Sequence, residues 1–232
     1  MLKEWFEDAD WGVVVVVRNK RAKRVIARRR NDAIQLTAPE FYSLPQIRNL
    51  FDALKPRLNK LRAVEKIFFD ESANLTTLTF RLEIKKSAVN NIYINLIDGV
   101  LRLVFPLSAD FHNDEIQRLI KGYVEAALRL EAKRIIPAKV GMLAQKFGFA
   151  YSGVKIQKSR TRWGSCSSRK SINISMYCLF LPEYLLDFII LHELCHTIEM
   201  NHGKRFWALL DSVSGNKAQQ FTKELKNVKI PL

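Results

Sequence analysis

The stretch Leu181–Trp207, LPEYLLDFIILHELCHTIEMNHGKRFW, carries three of the four histidines in this 232-residue chain. Its first half is apolar almost all round, a pattern typical of a helix buried in a protein core. His192 and His196 lie four residues apart, so a helix places both imidazoles on one face, about 6 Å apart along the axis. Two imidazoles so placed can bind one metal ion, and zinc is the usual ion in histidine-rich sites that keep an open position.

A carboxylate adjoins the first of these histidines. Glu193 completes the pattern H-E-x-x-H, in which a carboxylate takes a proton from a water molecule at the metal and later delivers it to a leaving amine. A buried helix without a metal is the alternative, but its histidines and glutamate would then lose their hydration without gaining a partner. The pattern therefore predicts a metal site with Glu193 as general base, and it says little about the substrate.

Zinc hydrolases typically use three protein ligands and a water molecule, and two residues compete for the third position. Glu199 lies on the same helical face, but a straight helix carries it about 10 Å from His192 along the axis, too far for one tetrahedral ion. His202 can return to the metal if the chain turns at Met200–Asn201, since asparagine tolerates the left-handed conformation that ends helices. We therefore predict three ligands: His192, His196 and His202. Glu199 is expected to hold the ring N–H of one of them.

The composition is that of a globular protein, with 48% hydrophobic and 26% charged residues. No apolar run approaches the ~20 residues that span a bilayer. The first residues, MLKEWFEDAD, are acidic where a signal peptide is basic. The three cysteines are an odd number without paired spacing, which fits a reducing compartment. We therefore expect a cytoplasmic protein that does not span a membrane.

Residues 1–107 show the alternation and the β-branched content of strands. Asn31–Asp32 predicts a turn between two of these strands, and Asp98–Gly99 predicts a two-residue hairpin. One helix interrupts the strands, because Ser43 is a good cap for the segment Leu44–Leu61 with its apolar residues at helical spacing. We expect this first domain to be an antiparallel β region with one inserted helix.

The second half of the chain has a different pattern. Asn113 caps a long helix, which we expect Pro137 to interrupt and Gly148 to end. Two short strands, VKIQKSRTRWG and INISMYC, precede Pro182, which opens the histidine-bearing helix. Residues 108–232 are therefore predicted to form a second, helical domain with a short β-sheet, and the fold class is predicted to be α+β.

A basic segment lies among the N-terminal strands. Arg18–Arg30, RNKRAKRVIARRR, contains eight basic residues in thirteen, within a chain whose formal net charge is +15. Two interpretations are open. The segment is either a strand pair with a solvated basic face, or an electrostatic surface for nucleic acid or another polyanion.

Two motifs, TRWGSCSSRKSINIS and LPEYLLDFIILHELCHTIEMNHGKRFW, resemble the YgjP-like metallopeptidase family, which is related to the SprT-like and WLM zincins. The resemblance is specific over about Ser159–Leu210, and it implies a zincin-like catalytic region with a bound zinc ion. On this resemblance Glu193 matches the catalytic base, and three residues match the ligands: His192, His196 and His202. Metzincins share the three-histidine spacing, but they have glycine where this chain has Glu199, and no downstream Met-turn is evident.

The motif RWGSC suggests substrate contacts. In zincin-like folds an edge strand beside the cleft pairs with the substrate backbone, and we expect Ile172–Met176 to be that strand. Its predicted contact residues are Ile172, Asn173 and Ile174. Arg162 is expected to bind a substrate carboxylate, with Trp163 beside it, and Gly164 suits a close approach of backbone. The alternative is that Trp163 packs in the core and Arg162 is a surface charge.

We therefore predict zinc-dependent hydrolysis of peptide bonds in a peptide or protein substrate. Zinc would polarise the carbonyl and lower the pKa of its water, and Glu193 would act as base and then as acid. One rival is a nucleic-acid-associated, SprT-like protease that the basic strands recruit. Another is a non-catalytic binding module that zinc stabilises, although a closed structural site has no need of a base such as Glu193.

Overall fold

The computed structural model describes residues 4–30, 33–62 and 68–232. Its internal contacts divide the chain into two compact units, Met1–Lys66 and Ile67–Leu232. The domain boundary expected near residue 107 lies inside the second unit. None of the described helices combines the length and the apolar content that a membrane span requires.

The first unit is a four-stranded sheet with one helix. Its elements are β1 (Glu4–Asp8), β2 (Gly12–Arg18), β3 (Ile26–Arg30), β4 (Ala33–Ala38) and α1 (Leu44–Arg62). The strand order is β1-β2-β4-β3, with β2 and β4 parallel and the other pairs antiparallel. Strand residues such as Val14 and Leu36 are fully buried, and they pack with Ile47 and Phe51 of α1. The sheet therefore has one face in a core that the helix completes.

Helix α1 begins where the sequence predicts. The Ser43 hydroxyl accepts a hydrogen bond from the Gln46 backbone N–H (3.4 Å), and the Gln46 side-chain oxygen accepts one from the Ser43 N–H (2.8 Å). This reciprocal pair is a capping box, and the predicted cap is confirmed. The predicted Asn31–Asp32 turn lies outside the described residues, as do the side chains of Arg29 and Arg30.

The second unit begins with a three-stranded sheet. Its strands are β5 (Arg81–Ser87), β6 (Tyr93–Ile97) and β7 (Val100–Pro106). The order is β5-β7-β6, with β5 and β7 parallel and β6 and β7 antiparallel. Asp98 and Gly99 join β6 to β7 with φ values of 49° and 71°, as a two-residue hairpin turn requires. The predicted hairpin is confirmed. Each of these two sheets also contains one parallel pair, which the expected antiparallel region did not include. Alternation along a strand does not indicate which neighbour the strand pairs with.

A single long helix, α2 (Asp114–Phe147), crosses the core of the second unit. The Asn113 side chain accepts a hydrogen bond from the Glu115 N–H, and Gly148 ends the helix with a φ of 73°, so both predicted caps are confirmed. The expected interruption at Pro137 is wrong. Fully buried Ile136 and Val140 lie on either side of it. Burying each stabilises the helix by about 1.5–3 kcal/mol, which offsets the roughly 3 kcal/mol that an interior proline costs.

The rest of the second unit carries the histidines. Its elements are β8 (Gly153–Gln157), β9 (Gly164–Cys166), β10 (Ser171–Ser175), a 3₁₀-helix (Met176–Phe180), α3 (Glu183–Cys195), α4 (Lys204–Val213) and α5 (Ala218–Asn227). The three strands form a sheet in the order β8-β10-β9. Helix α3 packs against both α2 and this sheet. The predicted α+β class is confirmed.

Candidate metal centre and cleft

Three histidine side chains converge at the end of α3. Nε2 of His202 lies 3.1 Å from Nε2 of His192 and 3.2 Å from Nε2 of His196. Nitrogens bound to one tetrahedral zinc ion at about 2.0–2.1 Å lie roughly 3.3 Å from one another. The structure therefore brings the three sequence-predicted ligands together at a spacing that fits one such ion.

The chain turns back between His196 and His202, as predicted, but without the expected left-handed asparagine. Helix α3 ends at Cys195, well before the turn expected at Met200–Asn201. The N–H groups of Thr197 and Ile198 bond to carbonyls three residues back, at 2.9 and 3.0 Å, and the Glu199 N–H bonds to the Cys195 carbonyl four residues back, at 2.9 Å, so hydrogen-bonded turns continue as far as Glu199. Asn201 has a negative φ, so the expected left-handed residue is wrong. The backbone then bends at Asn201, and the next residue, His202, reaches the other two histidines.

The ring orientation of His196 is fixed by a backbone group. Its Nδ1 lies 3.0 Å from the carbonyl oxygen of Glu199, so Nδ1–H donates there and Nε2 keeps a free lone pair for a metal. Glu199 thus holds the ring N–H of a ligand, as expected, but through its main chain. Its carboxylate has no hydrogen bond or ion pair within the described part of the chain.

An aromatic ring forms the floor of the centre. Phe206 of α4 is fully buried. Its ring centroid lies 4.5 Å from that of His196, 4.9 Å from that of His192 and 4.7 Å from that of His202. The sequence indicates only that Phe206 is a core residue of an amphipathic helix. Its contact with all three imidazoles depends on how α4 folds back on α3.

Burial sets the protonation of the centre. The side chain of Glu193 is 6% exposed, and burial raises its pKa to about 8, while the positive charge of Arg162 opposes that rise. Burial lowers the pKa of His192 to about 3, and the neighbouring His196 and His202 lower it further. At neutral pH the His192 imidazole is therefore uncharged and can donate its lone pair. With a pKa of about 8 the Glu193 carboxyl is mostly protonated at neutral pH, and the ionised form that can accept a proton grows as the pH rises.

A cleft of about 610 Å³ opens in front of the histidines. Helix α3 contributes Phe188 and Ile189 to its wall, and α5 contributes Leu225 and Lys226. These four residues were missed by the sequence reasoning. Helix α5 lies at the cleft because of tertiary contacts, such as the edge-to-face pair of Phe221 and Phe188, whose ring centroids are 5.3 Å apart. No local sequence pattern predicts such contacts.

The strand beside the cleft is not the predicted one. Strand β10 pairs with β8 on one side and with β9 on the other, and Ile172 and Ile174 are fully buried. The expectation that Ile172–Met176 is an edge strand is therefore wrong, because both backbone edges of β10 already carry hydrogen bonds. Asn173 instead binds within the sheet, since its amide donates to the Ser165 hydroxyl (3.3 Å).

Strand β9, rather than β10, is the edge strand beside the cleft. It pairs only with β10 among the described strands, and its residues Gly164–Cys166 line the cleft. Arg162 and Trp163, which precede β9, line the cleft as well. Trp163 also packs against the core, as the alternative interpretation expects, and its contact with substrate stays a prediction. The motif RWGSC therefore supplies one wall of the cleft, and its last three residues form the edge strand β9.

Comparison with known proteins places this site in a family. The model of the YgjP-like, metallopeptidase domain family matches residues 23–228. No curated protein sequence matches the chain significantly. The crystal structure of the metallopeptidase zymogen abylysin of Pyrococcus abyssi is similar with a TM-score of 0.36 and 20% identity, over 39% of this chain and 91% of that chain.

A second solved structure gives a comparable alignment. The metallopeptidase zymogen jannalysin of Methanocaldococcus jannaschii is similar with a TM-score of 0.34 and 25% identity, over 38% of this chain and 91% of that chain. The family model, by contrast, covers nearly all of this chain, and it confirms the resemblance found in the two sequence motifs. The chain belongs to the YgjP-like metallopeptidase family.

Proposed function

We propose that this protein is a zinc-dependent peptidase that hydrolyses peptide bonds in peptide or protein substrates. The observation that carries the proposal is the convergence of three Nε2 atoms beside a buried carboxylate in an open cleft. Membership of a metallopeptidase family supports the reaction class. The cleft supports catalysis over a closed structural site, because a structural zinc site needs neither an open position nor a base.

The donor set favours zinc among the common metal ions. His192, His196 and His202 would hold it, and three imidazole nitrogens suit zinc better than the oxygen-seeking ions calcium and magnesium. When bound, a zinc ion supplies a Lewis acid that lowers the pKa of a water molecule and polarises a carbonyl group. The hydrogen bond from His196 to the Glu199 carbonyl fixes the ring so that its Nε2 would be free to bind the ion.

Glu193 is the proposed proton carrier. Its carboxylate accepts a proton from the attacking water and then delivers that proton to the nitrogen of the leaving amine. The elevated pKa that burial gives this group makes its ionised form a stronger base for the first step, and it keeps the acid form populated near neutral pH for the second. The apolar surroundings also keep bulk water away from the carboxylate, which preserves its basicity towards one water molecule.

Strand β9 is the proposed docking edge for the substrate. An extended peptide can add to a free sheet edge through main-chain hydrogen bonds, and β9 presents such an edge to the cleft. Arg162 is exposed at the cleft wall and is the proposed partner of a substrate carboxylate. The roles predicted for Ile172, Asn173 and Ile174 pass to the residues of β9.

Digestion of a proteome-derived peptide library tests the proposal. The zinc-loaded protein should generate new peptide termini, a strong chelator should abolish them, and added zinc should restore them. Glu193→Gln protein of equal zinc content serves as the inactive control. Metal-loaded wild-type protein that cleaves nothing in the library would favour the alternative of a zinc-stabilised binding module.

A second candidate function rests on the basic segment of the first unit. Five side chains of the β2–β3 region are exposed and have no acidic partner among the residues that the structure describes: Lys20, Arg21, Lys23, Arg24 and Arg28. We call this set the basic edge. Arg28 lies in the edge strand β3, and the other four residues lie in the segment between β2 and β3. It supports a protease that nucleic acid recruits, in which phosphates bind these cations and the cleft cuts bound protein.

A further inference from the structure

Gly164 occupies a position where glycine is normally a disadvantage. It is the first residue of the three-residue strand β9 and pairs with Ile174 of β10, and glycine weakens a strand because it has no side chain to pack and loses more backbone entropy. Its φ is outside the left-handed region, so any residue could adopt this backbone conformation. A requirement for space, rather than for conformation, must explain the residue.

The space beside Gly164 is filled by the proposed base. A Cβ atom at this position would lie 2.6 Å from Oε1, 2.7 Å from Cγ and 2.8 Å from Cδ of Glu193. Carbon atoms in contact normally lie about 3.5–4.0 Å apart, so the Glu193 side chain rests directly on the glycine. Gly153 of β8, in the same sheet, offers a contrast, because a Cβ there would meet nothing within 4 Å.

Strand β9 cannot retreat to make room for a larger residue. The carbonyl of Trp163 accepts a hydrogen bond from the Ser175 N–H (2.8 Å), and the Ser167 N–H donates to the Ser171 carbonyl (3.0 Å). These bonds hold both ends of β9 on β10, whose alternate side chains are buried in the core. The Glu193 carboxylate is the end of a rotatable side chain. A new methyl group at residue 164 would therefore displace the carboxylate and leave the strand in place.

The same hydrogen bonds fix which amide groups of β9 face the cleft. In an antiparallel ladder, alternate residues direct both N–H and C=O to the partner strand. Trp163 and Ser167 bond to β10, so Ser165, which is opposite Asn173, faces β10 too. The backbone groups of Gly164 and Cys166 therefore point to the free edge. A substrate strand on that edge would lie about 4.8 Å from β9.

We propose that Gly164 is a positioning residue that sets the distance between the Glu193 carboxylate and the backbone of a bound substrate. The backbone N–H and C=O of Gly164 would bind the substrate strand. The Glu193 carboxylate occupies the space that a side chain at residue 164 would fill. The carboxylate can thus lie against the strand that holds the peptide. This inference rests on the proposed peptidase function, whose failure would appear separately as an inactive wild type.

Gly164→Ala tests the inference, with Gly153→Ala as the matched control. Gly164→Ala should keep its zinc and leave KM nearly unchanged, because the docking amides and the three ligands are untouched. Its kcat should fall by about 10²-fold, the scale of an approximately 1 Å misplacement of a reacting group. Gly153→Ala should retain kcat. A Gly164→Ala protein whose kcat equals that of the Gly153→Ala control would overturn the proposal.

A thermal double-mutant cycle tests the contact without any catalysis. Gly164→Ala should lower Tm in the wild-type background, because the new methyl group collides with Glu193. In a Glu193→Ala background the same change should not lower Tm, since the colliding atoms are gone and alanine suits a strand at least as well as glycine. An equal drop of Tm in both backgrounds would show that Gly164 serves strand packing alone and would contradict the proposal.

Discussion

The metal centre and the basic edge are both rich in polar residues, but the fold buries part of the first set and leaves the second exposed. At the centre, His196 and Glu193 are buried, the His196 ring has a fixed acceptor, and burial shifts the pKa values of His192 and Glu193. At the basic edge, charged side chains are exposed and have no acidic partner in the described ranges. The proposed reaction rests on a site where packing fixes the direction of a side chain and burial shifts the pKa values of two of its groups. Exposed charge alone fixes neither.

The largest effect is expected for the proton carrier. Glu193→Gln is nearly isosteric and touches no proposed ligand, so fold and zinc content should stay as in the wild type. The amide cannot take up a proton, and kcat should fall by at least ~10²-fold. Single-turnover kinetics on a cleaved library peptide would measure this loss. Full activity in zinc-loaded Glu193→Gln protein would remove Glu193 from the mechanism.

A smaller effect is expected for the aromatic floor. Phe206→Leu keeps an apolar side chain but loses the flat ring that contacts the three imidazoles, so zinc affinity should weaken by roughly 10-fold. Competition with a chromophoric chelator would measure the dissociation constant. Phe105→Leu is the control, because Phe105 is equally buried and packs on Phe111 instead. Equal zinc affinity in the two variants would mean that the ring has no role in holding the ligands.

The smallest effect on the reaction is expected at the basic edge. If it binds phosphates, DNA or RNA affinity should fall steeply with salt, with a log–log slope of about −0.9 per duplex phosphate neutralised. Changing Arg21, Lys23 and Arg24 together to Gln should flatten that slope and leave peptide hydrolysis unchanged. Neutralising three exposed cations of the second unit, Arg129, Lys133 and Lys223, should leave the slope as it was. A protein that binds no nucleic acid even at low salt would exclude this second function.

The features that sequence predicted correctly are local. Asn113 and Gly148 bound α2, and Asp98–Gly99 forms a hairpin, because caps and tight turns depend on a few adjacent residues. The i, i+4 spacing of His192 and His196 likewise depends only on helix geometry. These residues could be placed before any tertiary contact was known.

The features that escaped prediction depend on packing between distant segments. Pro137 stays inside α2 because the core buries the residues around it. The edge position of β9, rather than β10, depends on the pairing of β10 with β8. Phe206 meets the histidines only after α4 has folded back on α3. Single-sequence periodicity reports which face of an element is buried, and it does not report the neighbour that buries it.

The zinc content of two variants tests the central claim most directly. Purified wild type, His202→Ala and Glu199→Ala would be dialysed against a mild chelator and analysed for bound zinc. We predict that the wild type keeps its zinc and that His202→Ala loses it, because only two imidazoles remain. Glu199→Ala should keep the metal, since the hydrogen bond to His196 comes from the main-chain carbonyl. Zinc that is retained by His202→Ala and lost from Glu199→Ala would contradict the three-histidine centre.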